Sequence, residues 1–127
     1  MKRIVLIIED DENLRAALMA ELEARCDCEV LGAAGARAGV HMAERRQPDV
    51  ILLDTTLPEL DTARVLEELH ANPSTRDLPV ILMEADGGEG TRAGGAGRPG
   101  GGGVVGTIGK PVAAETLARS VEELLGW

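Results

Sequence analysis

The chain has 127 residues, of which 44% are hydrophobic; it has no Phe or Tyr, and Trp127 is its only aromatic residue. That length predicts one domain, spanning 1–127, with room for a real core, and the core must be aliphatic. A formal charge of −9 argues against binding to nucleic-acid backbones or anionic membranes, and the lack of aromatic platforms excludes recognition by base stacking.

The elements alternate along the chain. An apolar run predicts a first strand over Arg3–Ile8, ending in the acids Glu9, Asp10 and Asp11. Leu14, Leu18 and Leu22 then recur at helical spacing, which predicts a helix over Glu12–Ala24 with an aspartate at its start as cap. A second strand is expected near Glu29–Ala33 and a second helix over Ala36–Arg46, stopped by Pro48. The run Val50–Leu53 predicts a third strand, which delivers Asp54 at its end. A helix over Asp61–Ala71 follows, with Leu60, Val65, Leu66 and Leu69 as its apolar side and Asn72-Pro73 as its stop. Strands at Val80–Met83 and Val104–Ile108, and a last helix over Ala113–Leu125, complete the series.

Continuous apolar strands alternating with amphipathic helices predict an α/β fold, a doubly wound five-stranded parallel sheet covered on both faces. In such sheets ligands bind beyond the carboxyl ends of the strands. Glu9 and Asp10, Asp54, and Lys110 stand at three of those ends, so they make one candidate site for a divalent metal and a phosphoryl group. Two unit charges about 5 Å apart at an effective dielectric near 20 repel by roughly 3 kcal/mol, so the acids need a cation or a proton between them.

One crossover breaks the pattern. Ten of the 17 residues of Gly87–Gly103 are Gly. At about 1 kcal/mol per Gly relative to Ala, a helix there would cost on the order of 10 kcal/mol. A loop is predicted instead, with at most one turn near Glu89–Ala93. Arg92 and Arg98 within it read as solvated charges rather than an anion site. Cys26 and Cys28 read as two reduced thiols near a strand start, because no further Cys supports a framework or a zinc site. No signal peptide or membrane-length run is visible, which favours a cytoplasmic location. His41 and His70 fall on helices away from the strand ends, so no Ser-His-Asp arrangement is supported.

Several segments in order resemble a known family. "RIVLIIEDDENLRAAL", "PDVILLDTTLPELD" with Pro58 after the aspartate, "NPSTRDLPVILM" and "GKP" resemble a response-regulator receiver domain of two-component signalling. The resemblance covers 2–86 and 104–125, all but the Gly-rich loop. It implies a flavodoxin-like fold in which that loop replaces the fourth helix. It also implies a signalling module rather than an enzyme. Asp54 takes the phosphoacceptor position, and Lys110 the position that pairs with the phosphoryl oxygens. Glu9, Asp10, Asp54 and the backbone carbonyl of Thr56 take the places of the Mg²⁺ ligands, with Asp10 preferred to Glu9 as the direct ligand. A sensor histidine kinase or phosphotransfer protein is the implied donor, with an output protein whose identity the sequence does not give.

The sequence departs from the family at its readout. Glu84 stands where the family has a Ser or Thr switch, and Thr107 where it often has Tyr or Phe. Thr62, where Gly is common, is a smaller departure. These changes support a second reading, a pseudo-receiver that acts as a phosphorylation-independent interaction module. A third reading, a haloacid-dehalogenase-like phosphatase with Asp54 as nucleophile, fails because the residue two positions on is Thr56 rather than an acid.

Overall fold

Aliphatic runs with no polar interruption can be buried only if both faces of their sheet are covered, and short amphipathic helices supply that cover. The computed structural model describes residues 2–57, 62–84, 90–93, 103–110 and 112–127. Within them the order is β1 (Arg3–Ile8), α1 (Glu12–Arg25), β2 (Cys28–Ala33), α2 (Ala36–Arg46), β3 (Val50–Asp54), α3 (Thr62–Ala71), β4 (Pro79–Glu84), β5 (Gly90–Ala93), β6 (Gly103–Gly109) and α4 (Ala114–Leu125). Pro58, Leu60, Asp61, Arg98, Pro111 and the Gly-rich run apart from 90–93 and Gly103 lie outside the described residues.

The sheet order is β2-β1-β3-β4-β6-β5. The five long strands are parallel, as the alternation of strand and helix predicts. The chain steps from β1 out to β2 and then back past β1 to β3, which places a switch point between β1 and β3. Side chains alternate across the sheet, so each strand feeds two cores. Val5, Ile7, Val50, Leu52, Ile81 and Met83 pack with Leu18 and Leu22 of α1 and Leu117 and Val121 of α4. Leu6, Ile8, Ile51, Leu53 and Val80 pack with Val40 and Ala43 of α2 and Val65 and Leu69 of α3.

The structure corrects one expectation. Residues 90–93 form no helical turn; they are an extended strand, antiparallel to β6, with Gly90 opposite Gly109 and Ala93 opposite Gly106. The glycine cost that rules out a helix leaves β6 with an open edge, and unpaired edge N–H and C=O groups favour pairing with the nearest extended segment. A register shift between Val80 and Ile81 against β6 also went unforeseen.

The thiols are free, Cys26 at the end of α1 and Cys28 buried at the start of β2. Among the described residues no helix is long and apolar enough to cross a membrane.

Gly39 shows how closely α2 lies on the sheet. A Cβ built there would come 2.6 Å from Ile8 Cγ1. Gly39→Ala is therefore expected to destabilise the fold by about 1–3 kcal/mol through overpacking, although Ala is the better helix former. Chemical denaturation of parent and variant checks this; a stabilised variant would refute the close contact.

Candidate functional site

Strand alternation decides which acids meet. Val5 and Ile7 face the α1–α4 layer and Glu9 continues their row, while Val50 and Leu52 face the same layer and Asp54 continues theirs. β1 and β3 are neighbours, so the two carboxyls converge at the carboxyl edge of the sheet. Each is only 1% exposed. Asp10 has the opposite parity and is exposed. All three offer carboxylate oxygens within 4.8 Å of one another. Asp11 is set apart from them as the cap of α1, accepting from the Leu14 N–H at 3.0 Å.

Lys110 reaches the same point from two strands away. Its N–H donates to the Glu84 carbonyl at 2.8 Å, which fixes the backbone beyond β6 against the end of β4. Its Nζ lies 2.8 Å from Asp54 Oδ1 and 3.9 Å from Glu9 Oε1. It also donates to Thr56 Oγ1 at 2.9 Å. The Thr56 hydroxyl donates in turn to Asp54 Oδ1 at 2.7 Å, and the Thr56 N–H donates to the same oxygen at 2.9 Å.

The two buried carboxyls share their surroundings unequally. Burial, followed by the hydrogen bond to Asp54, pushes the Glu9 carboxyl up to about 7. Burial also pushes Asp54 up, but hydrogen bonding from Glu9, Lys110 and Thr56 outweighs it and holds Asp54 below the usual carboxylate range. Asp54 is thus the ionised partner, and Glu9 the one that holds a proton when no cation is near.

Glu9 Oε1 and Asp54 Oδ2 are buried without a hydrogen-bond partner among the described residues. A bare buried carboxylate oxygen is costly, and a shared proton or a hard cation supplies the missing partner. An all-oxygen donor set of carboxylates suits Mg²⁺. The residues present therefore fit a divalent cation, with Glu9, Asp10 and Asp54 as the side chains that could hold it.

Every residue that the sequence placed at the centre is brought together there: Glu9, Asp10, Asp54, Thr56 and Lys110. Glu84 ends β4, half-buried, and stands outside the acidic cluster; Thr107 lies within β6 opposite Leu82, also half-buried. His41 and His70 are exposed on α2 and α3. Three contacts escaped the sequence reading. The Thr56 hydroxyl is one. The second is Arg15 Nη1, which donates to the Glu9 carbonyl at 2.8 Å. The third is Thr55 Oγ1, which donates to the Met83 carbonyl at 3.1 Å and ties the end of β3 to β4. For Thr56 a signal existed, since an aspartate often accepts from the backbone two residues on.

Lys110→Met tests the ion pair. Asp54 is depressed, so the pairing stabilises the fold above the ordinary aspartate range and that stability is lost as pH falls through the folded value. The variant is expected to be less stable than the parent by about 2 kcal/mol at pH 7, with the gap closing towards pH 3. Urea titrations at the two pH values check this; a gap independent of pH would overturn it.

Residues 5–122 match the family model of the response regulator receiver domain. The chain belongs to that family. The response regulator PleD of Caulobacter vibrioides is 37% identical over 92 residues, which are 72% of this chain and 20% of PleD. The transcriptional regulatory protein LiaR of Bacillus subtilis is 39% identical over 83 residues, 65% of this chain and 39% of that protein. The receiver thus spans well under half the length of either relative. Among solved structures, the chemotaxis response regulator CheY4 of Vibrio cholerae superposes with a TM-score of 0.77 at 18% identity, covering 98% of this chain and 99% of that one. The receiver domain of the sensor histidine kinase PA1611 from Pseudomonas aeruginosa, solved with magnesium in its active-site cleft, gives a TM-score of 0.75 at 24% identity and full coverage of both chains.

Proposed function

We propose that this receiver accepts a phosphoryl group on Asp54 and signals through altered protein contacts. One observation carries the reading: a buried, ionised aspartate has one oxygen held by Lys110 at 2.8 Å and the other without a partner among the described residues. Attack by a buried carboxylate needs its own charge oriented and the charge of the transferred group neutralised. Lys110 supplies a fixed cation on one side, ready to pair with phosphoryl oxygens. Mg²⁺, when held by Glu9, Asp10 and Asp54 with the Thr56 carbonyl, would supply further charge neutralisation. An Asp54 oxygen forms the new O–P bond while the bond from phosphorus to the donor breaks, and the donor leaves with that electron pair. A phosphohistidine of a sensor kinase or phosphotransfer protein is the donor class that the family supports.

Glu84 favours a second reading. An ionised glutamate cannot donate a hydrogen bond to a phosphoryl group as the switch hydroxyl of the family does. With Thr107 in place of an aromatic residue, the same fold would serve as a docking module with no phosphorylation switch.

Intact mass after incubation with acetyl phosphate and Mg²⁺ separates the two. One phosphoryl group added to the parent and none to Asp54→Asn is expected. A folded parent that binds Mg²⁺ yet gains no mass would leave the docking reading.

A further inference from the structure

We propose that the Thr56 hydroxyl is a positioning group that assigns different jobs to the two oxygens of Asp54, fixing Oδ1 as the anchored oxygen and Oδ2 as the reacting one. The inference rests on the acceptor reading above and adds which atom attacks and what orients it.

The two oxygens are strongly unequal. Oδ1 takes three donors: the Thr56 N–H at 2.9 Å, the Thr56 hydroxyl at 2.7 Å and Lys110 Nζ at 2.8 Å. A carboxylate offers about four lone-pair sites over its two oxygens, so three donors saturate one of them. Oδ2, on the same buried carboxyl, has no partner among the described residues. Oδ2 therefore keeps its lone pairs for phosphorus or for a cation, and the carboxyl that carries it belongs to the acidic cluster with Glu9 and Asp10.

Thr56 contributes two of the three restraints. Its backbone N–H would be there with any residue at 56 except Pro. Its hydroxyl is the specific part, because it donates to Asp54 while accepting from Lys110 at 2.9 Å. One hydroxyl thus closes a ring of three groups that joins the loop after β3 to the residue after β6. Without it, the carboxyl would rotate more freely about its terminal torsion, a broad and roughly two-fold one. The two oxygens would then exchange places more often, and Oδ2 would be presented for reaction a smaller part of the time. Thr56 is exposed, so its hydroxyl can be removed without touching a core.

The test compares the parent with Thr56→Val, which keeps the shape and loses the hydroxyl, and with Thr56→Ser, which keeps the hydroxyl. Mg²⁺ affinity is measured by titration calorimetry with no phosphodonor present. Phosphoryl uptake from acetyl phosphate is measured separately by intact mass. Thr56→Val is expected to weaken Mg²⁺ binding and slow maximal uptake by about tenfold, the low end of the scale for one hydrogen bond to a charged group, with the half-saturating donor concentration unchanged. Thr56→Ser is expected to restore both. Parental Mg²⁺ affinity and uptake in Thr56→Val would overturn the proposal, as would equal impairment of the Val and Ser variants. If the parent itself takes up no phosphoryl group, the acceptor reading falls, and the Mg²⁺ titrations alone decide whether the hydroxyl orients Oδ2.

Discussion

Asp54→Asn is expected to reduce phosphoryl uptake to background, a loss of more than about 100-fold, while leaving the fold intact. The amide nitrogen is no nucleophile, and its carbonyl oxygen lacks the charge that attack on phosphorus requires. The geometry around it survives. The Asn carbonyl oxygen can accept from the Thr56 N–H, the Thr56 hydroxyl and Lys110, as Asp54 Oδ1 does. Its amide can donate to Glu9 Oε1, which has no hydrogen-bond partner among the described residues of the parent. The hydrogen bond and charge of Asp54 are both among the causes that raise Glu9, so the Glu9 carboxyl is expected to titrate lower in the variant. Mass spectrometry reads the first effect and a carboxyl titration by NMR the second. A phosphorylated Asn variant would place the acceptor on another residue.

Glu9→Gln is expected to remove most of the fold's pH sensitivity between about pH 4.5 and 8. In the metal-free protein Glu9 holds its proton up to about 7, against 4.5 in the unfolded chain. The folded state therefore binds the extra proton between those values. The contribution of Glu9 to stability is fully present below about pH 4.5 and is lost as pH rises through 7, the opposite of the usual carboxylate case. The loss by pH 8 is on the order of 3 kcal/mol, which is roughly 10 °C in Tm for a chain of this size. Gln carries no charge, and its amide keeps a donor to offer the Asp54 carboxylate in place of the acid proton. The variant should thus match the parent near pH 4.5 and exceed it by about 2–3 kcal/mol at pH 8 in EDTA. Mg²⁺ should reverse the order, because it stabilises the parent at pH 8 and finds one fewer carboxylate in the variant. Thermal melts at both pH values, with and without Mg²⁺, check all four corners. A parent whose metal-free Tm rises between pH 5 and 8 would refute the assignment of the proton to Glu9.

Much of this was legible because the signals were local and strong. The runs before Glu9 and Asp54 have no polar interruption, so they could only be buried parallel strands, and strand ends are where such sheets bind ligands. Lys110 was placed by the same logic. The difference in burial between Glu9 and Asp10 was legible too, though the sequence reading did not draw it. The structure buries Glu9 and exposes Asp10. Counting by twos from Val5 through Ile7 would have shown Glu9 on the row that meets Asp54. β5 was missed for another reason. Glycine cost rules out a helix but cannot choose between coil and strand, and the partner that decides, the open edge of β6, lies up to 19 residues away in the chain. The Thr56 hydroxyl was missed because a family comparison draws attention to its carbonyl, whereas the side chain acts only once Lys110 has been folded into reach.

The site draws one group from each of three strands, and this makes competence inseparable from cooperativity. β1 and β3 pair residues 45 positions apart, as in Val5 with Val50, and β6 joins only after β4 has docked on β3. Closing such long loops costs entropy that only the finished hydrophobic layers repay. No local segment holds two of Glu9, Asp54 and Lys110, so a partly zipped sheet has no centre at all. Chemical activity should therefore vanish together with the global unfolding transition, not ahead of it, and a phosphodonor assay would count whole molecules.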